Sequence, residues 1–135
     1  ELGHIMWNHV GMARDKDGLI EAIKMLKDLK KEFWSNVRIP GKADDLNVEL
    51  EKALRLADFI EIGELMARDS LDREESCGGH FRVEHQTPEG EALRDDEHFA
   101  YVSCWKYQGE DQDPELLKEP LDYEFVVRQQ RNYKN

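Results

Sequence analysis

Residues 54–67 read Leu54-Arg55-Leu56-Ala57-Asp58-Phe59-Ile60-Glu61-Ile62-Gly63-Glu64-Leu65-Met66-Ala67. Extended in both directions, this run places Leu46, Leu50, Ala53, Ala57, Ile60, Ala67 and Leu71 at steps of three, four and seven, the spacing that lines up one face of an α-helix. Asp44 or Asp45 is the expected N-cap, since a short acidic side chain accepts from the free amides of a first turn. From Phe59 to Met66 the apolar residues spread around most of the circumference, so this part is expected to be covered on more than one side. The helix is expected to run to about Glu75 and to stop at Cys77-Gly78-Gly79, because glycine tolerates the left-handed turn that ends helices.

Upstream, Leu19, Ile23, Leu26, Phe33 and Val37 form a second stripe, with Lys24, Lys27, Asp28, Lys31 and Glu32 on the other faces. That helix is expected to begin at Asp15-Lys16-Asp17-Gly18 and to end before Pro40, whose ring pushes Ile39 out of helical dihedrals. Leu2, Ile5, Met6 and Val10 also fall at helical spacing, with no capping residue ahead of them, and the segment from Leu2 to Ala13 breaks near Gly11. It reads as a helix that has been cut, and the chain as a piece of a larger protein.

Downstream the period changes. Thr87-Pro88-Glu89-Gly90 marks a turn, and residues Phe99 to Tyr107 alternate large and small side chains in a β-rich composition. Gly109 to Pro114 is a polar loop, and Leu121 to Val127, with Tyr123, Phe125 and Val127 on one side, is the expected partner strand. The fold class is therefore mainly α: a bundle of about three helices over residues 1–79, then an extension with short strands over 80–135.

Composition limits the function. The 135 residues carry 19 basic and 30 acidic side chains, a formal charge of −11, which opposes a phosphate backbone and argues against nucleic acid as a partner. Mean hydropathy is −0.79, and no stretch approaches the roughly 20 apolar residues that cross a bilayer. Cys77 and Cys104 are too few for a disulfide framework, which fits a reducing compartment.

The chemistry is concentrated in Arg73-Glu74-Glu75-Ser76-Cys77-Gly78-Gly79-His80-Phe81-Arg82, with a second charged cluster at Arg94-Asp95-Asp96-Glu97. Arginine grips carboxylates through two parallel donors, so these segments suit a network of ion pairs fixing the extension or joining it to a neighbour. Cys77, His80, His85 and Cys104 include the ligand types of a structural zinc site, but only Cys77 and His80 have metal-ligand spacing. Ser76 and His80, four apart at a helix end, suit capping better than nucleophilic catalysis. Gly78-Gly79 follows a helix rather than preceding one, so the helix dipole there repels a phosphate. No catalytic, cofactor-binding or metal-binding residue is assigned.

Taken in order, Arg73-x-Glu75-Ser76-x-Gly78-x-His80-x-Arg82, Arg94-Asp95-Asp96-Glu97, Glu119-Pro120 and Arg131-x-Tyr133, preceded by the helix from Leu54 to Ala67, resemble the C-terminal region of the flavoprotein subunit of succinate dehydrogenase and fumarate reductase. The likeness runs over essentially the whole chain, and aspartate oxidases share part of it. Two departures stand out: Cys77 where that family usually carries arginine, and a longer stretch between Arg82 and Arg94.

The resemblance implies a spectrin-like three-helix bundle with a small C-terminal extension. It implies that FAD and the dicarboxylate, succinate or fumarate, are held by domains that precede this region, so that the fragment carries no cofactor and is inactive by itself. It implies packing on the FAD-binding domain of the same subunit and a part in assembly with an iron–sulfur subunit, which passes electrons through a membrane anchor to or from quinone. The expected location is peripheral, on the cytoplasmic side of the inner membrane, as part of that complex. Arg73, Glu75, Ser76, His80, Arg82, Arg94, Asp95 and Asp96 are the expected interdomain or subunit contact. The alternative is a free-standing acidic helical module that binds a basic partner.

Overall fold

The computed structural model describes residues 1–42 and 44–129, and Arg131 and Tyr133 lie outside that range. The element order is α1 (Leu2–His9), α2 (Lys16–Asn36), α3 (Val48–Asp72), α4 (Asp96–Phe99), β1 (Tyr101–Lys106) and β2 (Glu115–Pro120). The chain is thus mostly helical, with one small antiparallel sheet, as the periodicity implied. It divides into two units, Glu1–Leu71 and a second beginning at Asp72. Among the described residues no helix is long and apolar enough to cross a membrane.

The first unit is built by apolar packing. Asp15 caps α2, its carboxylate accepting from the Gly18 amide at 2.8 Å. Leu19, Ala22 and Leu26 of α2 are fully buried, together with Ile5 of α1, Val10 after it and Ala67 of α3. Gly63 lets α3 approach: a Cβ there would stand 3.0 Å from the Met6 sulfur and 3.7 Å from methyls of Leu2 and Leu26. Lys30 pairs with Glu61 at 2.6 Å, between α2 and α3.

Several boundaries differ from expectation. The first helix ends at His9, short of Ala13. The cap of α3 is neither Asp44 nor Asp45: the Asn47 side chain accepts from the Glu49 and Leu50 amides, each at 3.1 Å, and donates to the Pro40 carbonyl at 3.0 Å. Asn47 wins because it ties the preceding loop as well as the first turn. The helix ends at Asp72, not near Glu75. Cover on several sides of residues 59–66 is not found either: Ile60 is buried, whereas Phe59, Ile62 and Met66 are about half exposed. Toward the end of α2 the stripe also surfaces, with Val37 exposed.

The second unit is mostly loop held by short bridges. Cys77 and His80 exchange backbone hydrogen bonds of 2.8 and 3.0 Å around Gly78-Gly79, with Gly78 at φ +58°, a left-handed turn that glycine adopts freely. The expected turn at Thr87–Gly90 is present, closed by the Gly90 amide donating to the Thr87 carbonyl at 2.9 Å. β1 is shorter than expected because residues 96–99 form α4, capped by Asp95. Its partner is Glu115–Pro120 and not Leu121–Val127, in the register Tyr101↔Pro120 to Lys106↔Glu115. Cross-strand contacts favour this partner over its poorer β composition: Lys106 faces Glu115 at 3.4 Å, and Lys118 lies over the Tyr101 ring at 4.3 Å.

Candidate functional site: the polar network of the second unit

Arg73, one residue past α3, is the hub. Its Nη1 donates to Glu75 Oε1 at 2.8 Å and to the Phe99 carbonyl at 3.0 Å, and its Nη2 donates to the Tyr101 carbonyl at 3.0 Å. Glu75 is almost completely buried, and its second oxygen accepts from the Asp95 amide at 2.8 Å. One ion pair thus joins the end of α3, the start of α4 and the start of β1. The planar fork of arginine suits this work, because several donors point in fixed directions at once.

Around that hub, Ser76 and Arg82 form a second buried pair. Ser76 Oγ accepts from the Arg82 amide at 2.9 Å and donates to the Arg82 carbonyl at 3.2 Å, both residues being essentially inaccessible. The Arg82 guanidinium reaches Glu84 at 3.2 Å. His80 Nε2 stands 2.9 Å from the Arg73 carbonyl and donates to it, which leaves that nitrogen unavailable as a metal ligand.

A third cluster is more exposed. Arg94 holds Asp96, a bond that raises its already high pKa, and its Nη1 donates to the Gln129 carbonyl at 3.0 Å. Asp95 accepts from the His98 amide at 3.2 Å and from the His98 ring at 2.9 Å. Partial desolvation opposes its charged form, but the bonds from His98 outweigh it and hold the Asp95 pKa below the usual carboxylate value.

The structure therefore distributes the eight expected contact residues over three linked clusters: Arg73 with Glu75, His80 and the Asp95 amide; Ser76 with Arg82; and Arg94 with Asp96. Sequence reading missed Tyr101, a buried hydrophobic residue of this unit. Its hydroxyl donates to Asp72 at 2.8 Å, and Arg73 and Lys118 both lie over its ring, at 5.0 and 4.3 Å. Burial first, and then the bond to Asp72, raise the Tyr101 pKa, against an opposing effect from Lys118. Nothing in a strand sequence marks such a tyrosine as an electrostatic centre.

Cys77, His80, His85 and Cys104 do not assemble as ligands, and among the described residues no group of three or more His, Cys, Asp or Glu side chains stands close enough to hold a metal. As a test for a flavin pyrophosphate, Gly78-Gly79 fails: it forms the tight Cys77–His80 turn and opens no helix. Among the described residues no buried side-chain nitrogen or oxygen lacks a hydrogen-bond partner, an arrangement suited to fixing backbone segments.

Comparison with known proteins places this fold. Residues 1–133 match the family model described as the C-terminal part of fumarate reductase flavoproteins. The fumarate reductase flavoprotein subunit of Escherichia coli is 30% identical over 99 residues, covering 73% of this chain and 16% of that protein. An L-aspartate oxidase of Yersinia pestis is 27% identical over 88 residues, covering 63% of this chain and 15% of the enzyme. A solved quinol fumarate reductase of Escherichia coli shares the fold over 95% of this chain and 21% of its own, with a TM-score of 0.79 at 24% identity. The chain thus spans only 14% of the length of some curated relatives and 16% of others. With the family model running over almost every residue, the chain belongs to the C-terminal family of fumarate reductase and succinate dehydrogenase flavoproteins.

Proposed function

We propose that this chain is a non-catalytic support: it packs on the FAD domain of its parent flavoprotein and helps assemble that subunit with an iron–sulfur partner. In this reading Glu1–Leu71 is a spectrin-like three-helix bundle. The parent enzyme interconverts succinate and fumarate, exchanges electrons with quinone through a membrane anchor, and sits peripherally on the cytoplasmic face of the inner membrane. Nucleic acid is not a partner.

The observation that carries the reading is the family match over residues 1–133. Two features of the chain support it. Phe59, Ile62 and Met66 form a half-exposed apolar ridge along α3, a surface suited to cover by another domain. The buried Glu75 and Arg82 and the partly buried Arg73 are engaged with neighbouring segments of this unit, so they are suited to shape rather than to turnover. Within the proposed contact, Asp95 and Asp96, with side chains 39% and 41% exposed, are the members open to a neighbour.

The test is direct. The purified chain is expected to show no flavin absorbance and no succinate-dependent reduction of an electron-accepting dye. Stoichiometric flavin, or dicarboxylate turnover by this polypeptide alone, overturns the proposal.

A further inference from the structure

Residues 121–129 follow β2 without joining any sheet, yet they do not leave the second unit. The Leu121 amide donates to the Ala100 carbonyl at 2.9 Å, and at the other end the Gln129 carbonyl accepts from Arg94 Nη1 at 3.0 Å. Among the described residues no hydrogen bond or ion pair holds any residue from Asp122 to Arg128. Between the two anchors Phe125, Val126 and Val127 are 88%, 64% and 83% exposed. The segment runs beside Asp96 and borders an open cleft of about 330 Å³, lined by Asp96 and by Leu121, Tyr123, Val126 and Arg128 among others.

We propose that Arg94 is the latch of this segment, which acts as a strap whose attachment to the unit depends on one guanidinium. The chemistry lies in how that group is divided. Nε and Nη2 both donate to Asp96 Oδ1, which fixes the plane of the fork, and only then does Nη1 point at the Gln129 carbonyl. Lysine, a point charge with no fork, cannot hold both partners in this geometry. With the latch closed, the apolar residues 125–127 are displayed from a tethered segment. With it open, the Leu121 amide is the hydrogen bond that still ties them down among the described residues.

Backbone ¹⁵N relaxation on the full chain tests this. In the unaltered protein, order parameters over 122–128 are expected to exceed about 0.6, the flexible limit. In Arg94→Gln they are expected to fall below about 0.6, while β1 and β2 stay near the rigid value of about 0.85. Asp96→Asn, which loosens the fork and leaves Arg94 in place, is expected to lower them part of the way. Should Arg94→Gln not fold, Arg94→Lys must give the same selective loss. Values below about 0.6 in the unaltered chain, no change on substitution, or an equal fall in β1 and β2 overturns the proposal.

Discussion

The two units of this chain keep water out of their centres by opposite means. Among the described residues of Glu1–Leu71 the buried ones are Ile5, Val10, Leu19, Ala22, Leu26, Ile60, Gly63 and Ala67, with Ser70 the polar member. Among the described residues of the unit that begins at Asp72 the buried set is Tyr101 with Glu75, Ser76 and Arg82. The first is an apolar core that tolerates neighbours of similar volume and suffers from cavities. The second is a core of hydrogen bonds, in which a missing partner costs more than a missing methyl group, because a buried charge or amide is left without water.

That contrast sets the expected order of effects. Arg73→Met strands the buried Glu75 carboxylate and two carbonyls, and leaving a buried charge without its partner is expected to cost about 3–5 kcal/mol. Leu26→Ala, at a fully buried position of α2, is expected to cost about 2–5 kcal/mol through the cavity it leaves. Both are read by denaturant unfolding, with hydrogen exchange resolved along the chain to locate the loss. If the contrast is thermodynamic, Arg73→Met removes protection from the amides of Ser76, Leu93 and β1, and spares α2. Leu26→Ala does the reverse. Equal loss of protection in both units from either substitution breaks the distinction, and shows that the chain unfolds as one cooperative body.

The same contrast explains what was legible in the sequence. Helix periodicity is a local property of one stripe, so α2 and α3 were readable, and Gly63 lay within the stretch that announced α3. The Asn47 cap was not, because Asp44 and Asp45 offer the same local chemistry, and the choice was made by a bond back to Pro40 seven residues away. β2 was misplaced for a related reason: Leu121–Val127 has the better strand composition, but Lys118 over Tyr101 and Lys106 against Glu115 are non-local contacts that composition does not record. In the polar network, arginine, glutamate and serine at close spacing marked the right segment. What they could not reveal was the partner of each, since Arg73 reaches carbonyls 26 and 28 residues away, and a backbone acceptor has no residue type to recognise.

The smallest expected effect sits at the rim of the polar unit and shows where its electrostatics fade. Asp95 caps α4 and takes two bonds from the His98 ring, which hold its pKa below the ordinary carboxylate value. A carboxyl whose pKa is lowered on folding adds stability that is fully present above its unfolded value, near 3.8, and disappears as the pH falls through the folded value. Asp95→Asn retains an N-cap acceptor of equal quality and removes only the charge. The melting temperatures of the two proteins are therefore expected to differ slightly at neutral pH, with the aspartate form the more stable, and to converge below the carboxylate range. A difference that persists unchanged at pH 2, or one that favours asparagine at neutral pH, would show that the cap acts through shape alone. Charge would then matter only where Glu75 and Arg73 take it out of water.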